Sequence, residues 1–243
     1  MIVYGINPVI EALRAGNVDS LRIAGRGDAR LSSVLDAAKK AGVPIKRVDP
    51  NELDRASHGG VHQGVVAIVA DRESLSPGDL VSRASGAPLI VVLDGVEDPH
   101  NVGAVLRTVD AAGASGVVRQ ERHAAPLGGA TAKASAGAVS HVRIADVVNI
   151  ARALEELKEA GVWTVGLAGD AGKRYDQIDY TLPTALVVGA EGAGLRRLVR
   201  ERCDWLVSVP MQGHVQSLNV SVATGVVLFE AVRQRLTRKG SAS

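Results

Sequence analysis

The sequence predicts an α/β protein of two domains, and three features of the chain support this prediction. Short apolar runs typical of strands alternate with segments of helical periodicity along the 243 residues. Hydrophobic residues make up 46% of the chain and charged residues 22%, which allows an ample core. A stretch rich in serine, glycine and proline interrupts the alternation and is typical of a linker. We therefore expect domains at residues 1–73 and 88–243, joined by a loosely packed connection at residues 74–87.

The first domain is expected to be a compact α/β unit of about 70 residues, a normal size for a small domain. Its first helix should end near Gly16. A second helix is predicted because Val34, Leu35 and Ala38 recur at helical spacing, and Gly42 is a natural C-terminal stop. The strand QGVVAIVA should close the domain.

A glycine-rich loop with two histidines precedes that last strand. His58 and His62 are four residues apart, a spacing that suggests a metal site, but no third type of ligand accompanies them. We therefore expect a polar loop without a metal. Contact of this loop with RNA stays an open alternative, because Lys46, Arg47 and Arg55 are near in sequence.

The second domain opens with PLIVVLDGV, a continuous apolar run of the kind that fills a central parallel strand. The next helix should have Asn101 at its N-cap, since Pro99 forces an extended or turn conformation on the residue before it. Arg107 lies within this helix. It is either an ordinary solvated charge or a group that binds a substrate phosphate, because the helix follows the carboxyl end of a strand.

The middle of the second domain should continue the alternation of helices and strands. A segment rich in alanine, serine and glycine predicts a close-packed helix and then a strand, and NIARALEELKEAG predicts an amphipathic helix. VWTVGLAG and ALVVG should be further strands. The loop GAEGAG has neither the glycine spacing of a dinucleotide fingerprint nor the lysine of a P-loop, so by itself it assigns no ligand.

The C-terminal strand, turn and helix point most directly to a ligand pocket. WLVSVPM predicts a short buried strand, and QGHVQ predicts a polar turn. The remainder predicts a helix that is apolar nearly all round and therefore buried. Ser217 and Asn219 lie at its start, where an unpaired buried amide would cost about 1–3 kcal/mol. They either cap the helix or contribute to a pocket between strand ends and helix starts.

Composition and charge narrow the class of protein. The net charge of +2 and the pI near 8.8 allow a nucleic-acid partner without demanding one. Aromatic residues are only 2% of the chain, too few for a protein that grips RNA mainly by base stacking. The single cysteine excludes an internal disulfide and a thiolate metal cluster. There is no apolar run of membrane-spanning length and no signal-peptide pattern, so we expect a cytoplasmic protein without a membrane partner.

Three segments taken together carry a family resemblance: LDGVEDPHNVGAVLRT, VVGAEGAGL and SVPMQGHVQSLNVSVA. In this order and spacing they closely resemble the three motifs of the SpoU (TrmH-like) group of SPOUT methyltransferases. The resemblance covers essentially the whole chain, and YGINPVIEAL and VHQGVVAIV match longer members that carry an N-terminal RNA-binding domain. Among these, the chain is most similar to bacterial enzymes that methylate a guanosine 2'-hydroxyl in the peptidyl-transferase P loop of 23S ribosomal RNA.

The resemblance implies a fold that periodicity alone does not reveal. It implies a small N-terminal L30e-like α/β domain and a C-terminal SPOUT domain whose parallel sheet contains a deep trefoil knot, a rare exception to general topology rules. It also implies that the knotted loops bind S-adenosylmethionine in a bent form. The expected partners are ribosomal RNA and a second copy of the chain in an obligate homodimer, with no metal.

The functional positions of the family carry over residue by residue. The resemblance implies cofactor contacts at Gly189, Val209 and Leu218. It implies polar active-site positions at Asn101, Arg107, Glu191, Ser217 and Asn219.

Two departures from the family pattern lie outside the expected chemistry. Val109 stands where a smaller residue is common, and His141-Val142-Arg143 replaces a proline-containing stretch. The second departure could alter packing near the dimer or RNA surface.

Methyl transfer from a sulfonium to a ribose 2'-hydroxyl explains these residue types. The in-line displacement needs alignment of the two reacting atoms, and a base must take the hydroxyl proton. The family proposal gives this task to the arginine at position 107 acting with the RNA phosphate. Because an arginine is effectively always protonated, we expect Arg107 to clamp the phosphate and leave the deprotonating group open.

Two other functions remain compatible with the sequence. One is a related 2'-O-methyltransferase that acts on tRNA or on another ribosomal RNA site, although the N-terminal domain argues against the minimal tRNA type. The other is a non-catalytic RNA-binding or assembly factor. The presence of Asn101, Arg107, Glu191 and Asn219 at the family's active-site positions argues against it.

Overall fold

A computed structural model describes residues 1–24, 31–70 and 72–240, with side chains to residue 238. The helices are α1 (Ile6–Arg14), α2 (Ser32–Ala41), α3 (Pro50–Ala56), α4 (Pro77–Ser82), α5 (Pro99–Ala111), α6 (Gly129–Ala134), α7 (Ile150–Glu159), α8 (Arg197–Arg202) and α9 (Val220–Gly240). The strands are β1 (Ile2–Tyr4), β2 (Val18–Ala24), β3 (Ile45–Val48), β4 (Val65–Val69), β5 (Leu89–Asp94), β6 (Gly116–Gln120), β7 (Ile144–Val147), β8 (Trp163–Leu167), β9 (Lys173–Arg174), β10 (Thr184–Gly189) and β11 (Trp205–Ser208). This alternation confirms the predicted α/β class. None of the described helices has the combination of length and apolar character needed to cross a bilayer.

The described residues divide into two compact units, each with one sheet. The first unit contains the described part of residues 1–73 together with residues 102–107 and 125–141, and the second contains the rest. Two stretches of later sequence therefore belong to the first unit, which no linear pattern of composition could reveal.

The first unit is built on a four-stranded sheet in the order β1-β4-β2-β3. Strand β4 is antiparallel to β1 and β2, whereas β2 and β3 are parallel. Helices α1 and α2 pack on each other, and their apolar residues Val9 and Val34 are fully buried. The sequence did not predict β1, which has only three residues.

The histidine loop of the first unit is fixed by its own hydrogen bonds. The backbone N–H of Gly64 donates to Nδ1 of His62 at 3.0 Å, so Nε2 carries the hydrogen and bonds Oδ1 of Asp54 at 3.1 Å. Gln63 has a φ of 53°. Among the described residues, no group of three potential metal ligands lies close together. His62 thus serves the conformation of the loop.

The connection between the expected domains is more ordered than its composition indicates. It contains α4, and Ser76 caps this helix through a reciprocal capping box with Asp79. Leu75 and Leu80 are buried in the core of the second unit. The expectation of a loosely packed segment is therefore wrong, because two leucines anchor it.

The second unit is built on seven parallel strands in the order β7-β6-β5-β10-β8-β11-β9. The central strands β5 and β10 are buried along their whole length, as continuous apolar runs predict. Strand β10 lies between β5 and β8, and β11 lies between β8 and β9. The trefoil knot stays a prediction, because strand order alone does not fix how the chain is threaded.

Asp98, and not Asn101, is the N-cap of α5. The Asp98 side chain accepts the backbone N–H groups of His100 at 3.3 Å and Asn101 at 3.1 Å. Pro99 occupies the first turn, where its missing N–H and fixed φ are favourable. The helix therefore begins earlier than predicted, and the Asn101 side chain is available for other contacts.

Helix α9 is buried on one side only, which corrects the expectation of a helix buried all round. Val227 and Leu228 are buried, whereas Val222 is 51% exposed, Phe229 50% and Leu236 63%. These three exposed residues recur every seven positions and therefore follow one side of the helix. We refer to Val222, Phe229 and Leu236 as the α9 stripe.

Candidate active site

A cavity of about 610 Å³ opens where three strands of the second unit end. Its lining residues come from segments 167–169, 188–194, 207–218 and 220–223. These segments are the carboxyl ends of β8, β10 and β11, the loops that follow, and the start of α9. Parallel strands present their carboxyl ends at one edge of a sheet, so segments distant in sequence converge there. The volume suits a small-molecule site, for which roughly 300–1,000 Å³ is usual.

Most of the residues carried over from the family lie on this cavity. Gly189, Val209 and Leu218, expected to contact the cofactor, all line it. Glu191 and Ser217, from the polar set, line it as well. The cavity thus brings together residues from two of the three motifs, VVGAEGAGL and SVPMQGHVQSLNVSVA, although the role of each residue stays a prediction.

Gly189 is the end of β10, and the chain turns back against it. The following loop closes on itself, with the N–H of Gly194 donating to the carbonyl of Ala190 at 2.8 Å. A Cβ on Gly189 would overlap the carbonyl group of Gly194 and the amide nitrogen of Leu195. The loop GAEGAG is therefore a tight turn that requires glycine and that carries Glu191 on the cavity wall.

An ion pair between a buried carboxylate and a half-exposed guanidinium, which the sequence does not predict, supports this loop. Asp94 ends β5 and is fully buried, and its carboxylate accepts the backbone N–H of Arg196 at 2.8 Å and its Nε at 2.6 Å. Removal of the guanidinium would leave the buried Asp94 carboxylate uncompensated, so the contact favours a position of Arg196 and the end of the loop against the central strand. The only signal in the sequence was an aspartate directly after an apolar run.

Three side chains from distant segments form a hydrogen-bonded chain that ends on the cavity wall. Nδ2 of Asn219 donates to Oδ1 of Asn101 at 2.8 Å, and Nδ2 of Asn101 donates to Oε2 of Glu191 at 3.2 Å. Oδ1 of Asn219 accepts the backbone N–H of Ser221 at 2.9 Å. Since a backbone N–H can only donate, it fixes the orientation of both amides. We refer to Asn219, Asn101 and Glu191 as the amide relay.

Asn219 and Ser217 differ in their relation to α9. Asn219 caps the first turn through the N–H of Ser221, and it also takes part in the amide relay. Ser217 is exposed in the preceding loop and lines the cavity. Of the two roles that the sequence allows, Asn219 therefore caps the helix, and Ser217 lies on the wall of the pocket.

Arg107 lies apart from the amide relay. It follows Asn101 by six residues on α5, which places it about 9 Å further along the helix and roughly 240° around its axis. Its side chain is exposed and bonds to none of the residues that the structure describes. An exposed guanidinium with free donors is suited to bind a phosphate of a macromolecular substrate.

Two titratable side chains are found among the described residues that line the cavity, Glu191 and His214. Both residues are exposed. The rest of the lining is apolar, glycine or neutral polar. Acid–base chemistry carried out by side chains of this wall is therefore limited to these two groups.

Two family models match the chain. The SpoU rRNA Methylase family matches residues 88–229, which is more than half of the sequence. The chain belongs to this family. It is therefore an RNA methyltransferase that uses S-adenosylmethionine, which confirms the enzyme class and the cofactor that the resemblance implied. A second model, described as RNA 2'-O ribose methyltransferase substrate binding, matches residues 2–75.

Two relatives that align with nearly the whole chain have names that state the same RNA substrate. A protein of Pseudomonas aeruginosa named 23S rRNA (guanosine-2'-O-)-methyltransferase RlmB is 46% identical over 239 residues, covering 96% of this chain and 96% of its own. The protein of the same name from Vibrio cholerae is 44% identical over 243 residues, covering 98% of each chain.

Solved structures give the same family. The SpoU methyltransferase AviRb from Streptomyces viridochromogenes, in complex with the cofactor AdoMet, superposes with a TM-score of 0.82 at 27% identity, covering 98% of this chain and 91% of its own. The A. aeolicus TrmH/SpoU tRNA modifying enzyme has a TM-score of 0.57 at 35% identity and covers 63% of this chain and 78% of its own.

The cavity fits the adenosine part of S-adenosylmethionine. Leu167, Val209, Leu218 and Val220 supply apolar walls for a purine ring. Gly189 lets the backbone of Gly194 and Leu195 pack against the end of β10, which shapes this part of the wall. Glu191 supplies one negative charge, which suits a cofactor whose reactive centre is a cation.

Proposed function

We propose that this methyltransferase modifies the 2'-hydroxyl of a guanosine in 23S ribosomal RNA. The observation that carries the proposal is the 46% identity to a 23S rRNA (guanosine-2'-O-)-methyltransferase across 96% of both chains. An alignment that covers 96% of this chain includes both the N-terminal segment and the residues that line the cavity. The specific target proposed is the guanosine of the peptidyl-transferase P loop.

The N-terminal segment favours ribosomal RNA over tRNA. The tRNA-modifying enzyme of A. aeolicus covers only 63% of this chain, whereas the 23S rRNA enzymes of Pseudomonas aeruginosa and Vibrio cholerae cover 96% and 98%. We assign residues 1–73 to RNA binding, in agreement with the substrate-binding model that matches residues 2–75. We also propose a cytoplasmic location, because a ribosomal RNA substrate would be found there.

In the proposed reaction, the chain binds the cofactor and orients the ribose. Gly189, Val209 and Leu218 hold the adenosine. The amide relay fixes polar groups beside the reacting atoms, and Arg107 clamps an RNA phosphate through its planar guanidinium. The cofactor supplies an activated methyl group, so alignment of the 2'-oxygen accounts for much of the rate.

We also propose that the active enzyme is a homodimer that uses the α9 stripe. Val222, Phe229 and Leu236 are half or more exposed along one side of a long helix. Such a heptad spacing of large apolar residues is typical of helix pairing. Arg107 lies about two turns from Asn101 on a different side of α5, so a second copy would let it serve a neighbouring cavity.

Mapping of 2'-O-methyl groups on ribosomal RNA tests the function. RNA from a strain that lacks the gene should lose one 2'-O-methylguanosine in the 23S P loop, and a plasmid with the wild-type gene should restore it. A plasmid with Arg107→Ala should not restore it. An unchanged 23S map with a lost methyl group in tRNA would contradict the proposed substrate and favour the tRNA alternative.

A further inference from the structure

The structure assigns a proton acceptor for the proposed reaction: we infer that Oε1 of Glu191 takes the proton of the ribose 2'-hydroxyl. The inference rests on the proposed function, because it requires a hydroxyl as the methyl acceptor. It fills the place of the deprotonating group, which an arginine cannot fill because its guanidinium stays protonated.

The direction of the amide relay is the first argument. The backbone N–H of Ser221 obliges Asn219 to accept with its oxygen and to donate with its nitrogen. Asn101 must then accept from Asn219 and donate to Oε2 of Glu191. The relay ends on Oε2 of Glu191 as an acceptor, so the donated hydrogen bond from Asn101 holds the carboxyl group in place.

The availability of the second carboxylate oxygen is the second argument. Oε2 of Glu191 is taken by Asn101, but Oε1 has no hydrogen-bond partner among the described residues. The side chain lines the cavity from within the turn that the hydrogen bond between Gly194 and Ala190 closes. A positioned carboxylate with one free oxygen is suited to general-base catalysis, provided that it reaches the hydroxyl directly or through one water.

The absence of comparable groups on the described cavity wall is the third argument. His214 is the other titratable side chain there, and it lies in an exposed loop without a hydrogen bond to any described residue. A base must be held in a fixed position to contribute its full effect. Glu191 meets this requirement through Asn101, and His214 does not.

The transfer then balances in atoms and electrons. The ribose 2'-oxygen forms a bond to the methyl carbon as the carbon–sulfur bond breaks, and the sulfur keeps the electron pair. The hydroxyl proton passes to Oε1 of Glu191, and solvent takes it when the methylated RNA leaves. No oxidant or metal takes part in these steps.

Glu191→Gln separates a base from a positioning residue. A glutamine oxygen still accepts from Nδ2 of Asn101, so the amide relay survives, but a neutral amide cannot take up a proton. The single-turnover rate on a 23S fragment should fall by about 100-fold or more. Affinity for S-adenosylhomocysteine, whose sulfur is uncharged, should stay near that of the wild type when it is measured by isothermal titration. Glu201→Gln, an exposed carboxylate on α8 that pairs with Arg197, is the matched control and should leave the rate unchanged.

A binding cycle gives a second measurement that does not depend on turnover. RNA with a 2'-deoxyguanosine at the mapped target removes the hydroxyl, and Glu191→Ala removes the carboxylate. RNA affinity is measured with S-adenosylhomocysteine bound. If the two groups share a hydrogen bond, the second change costs little once the first has been made. The combined loss of affinity should therefore be about tenfold smaller than the product of the two separate losses.

The outcomes separate this inference from the proposed function. Glu191→Gln that keeps the wild-type rate, or purely additive effects in the binding cycle, would overturn Glu191 as the base while methylation itself stands. His214→Gln that loses more activity than Glu191→Gln would transfer the role to His214. A wild-type enzyme that methylates no ribose would overturn the proposed function and the inference together.

Discussion

At the scale of single residues, Gly189 is constrained by the backbone that turns back against it. Gly189→Ala would drive a methyl group into the carbonyl of Gly194, so the loop that forms part of the cavity wall must shift. We expect S-adenosylmethionine affinity to fall by at least tenfold, about 1.4 kcal/mol. Isothermal titration measures this directly.

Gly172→Ala provides the matched control for Gly189→Ala. Nothing lies within 4 Å of a Cβ at Gly172, and this residue is outside the cavity lining. The control should bind the cofactor as the wild type does. Equal affinities for Gly189→Ala and the wild type would show that the loop does not form the cofactor site.

Leu218 tests the apolar wall of the cavity. Leu218→Asp places a charge where the adenine ring is expected, and an unpaired charge in such a site is strongly disfavoured. Cofactor affinity should fall by at least tenfold, about 1.4 kcal/mol, while the oligomeric state is unchanged. Leu198→Asp, at a residue that is 54% exposed and outside this cavity, is the control. If Leu218→Asp bound the cofactor normally, the pocket assignment would be wrong.

Arg107 tests phosphate recognition separately from cofactor binding. Arg107→Lys keeps the charge but loses the planar fork, so turnover should drop while cofactor affinity stays the same. Arg107→Ala should be slower by a further factor on the order of ten, since a charge-assisted contact is worth about 1.5–3 kcal/mol. Single-turnover methylation of an rRNA fragment measures both rates.

Arg152→Ala is the control for the Arg107 variants. Its side chain is 80% exposed and pairs only loosely with Glu156, at 3.5 Å. This variant should methylate RNA at the wild-type rate. Full activity of Arg107→Ala would reduce Arg107 to an ordinary solvated charge, the alternative that its exposed position also allows.

At the scale of secondary-structure elements, the α9 stripe tests the homodimer. The wild type should give twice the 25.2 kDa chain mass by light scattering at micromolar concentration. Phe229→Asp should give a monomer, because it removes about 1.5–3 kcal/mol of apolar burial from each copy and adds a charge. Val148→Asp, at a residue that is 80% exposed and outside α9, should remain a dimer. A dimeric Phe229→Asp would place the interface elsewhere.

The elements show where periodicity succeeds and where it fails. Helix α7 was predicted from its apolar spacing, and its residues Ile150, Leu154 and Leu157 are fully buried. Helix α9 is expected from its sequence to be buried all round, but only one side is buried. The expectation fails because hydrophobicity alone does not distinguish a helix face that packs on the core from an exposed apolar face that can bind another chain. The start of α5 was misplaced because Asp98 and Asn101 are both good caps, and only the position of Pro99 decides between them.

At the scale of the whole molecule, the candidate site depends on strand order. The two hydrogen bonds of the amide relay join residues that are far apart in sequence. Asn101 and Glu191 are 90 residues apart, and Asn101 and Asn219 are 118 residues apart. The motifs identified these residues as a set, but no periodicity could place them within hydrogen-bonding distance. Insertion of β10 and β11 between earlier strands does so. The ion pair of Asp94 and Arg196 was missed for the same reason.

The central claim is that this chain methylates a guanosine 2'-hydroxyl of 23S ribosomal RNA. The most direct measurement incubates the purified protein and S-adenosylmethionine with unmodified 23S rRNA and identifies the product nucleoside by mass spectrometry. We predict 2'-O-methylguanosine, formed at a single position within the P loop and absent when the cofactor is omitted. A methyl group on a base, on a different ribose, or only on tRNA added in competition would contradict the claim.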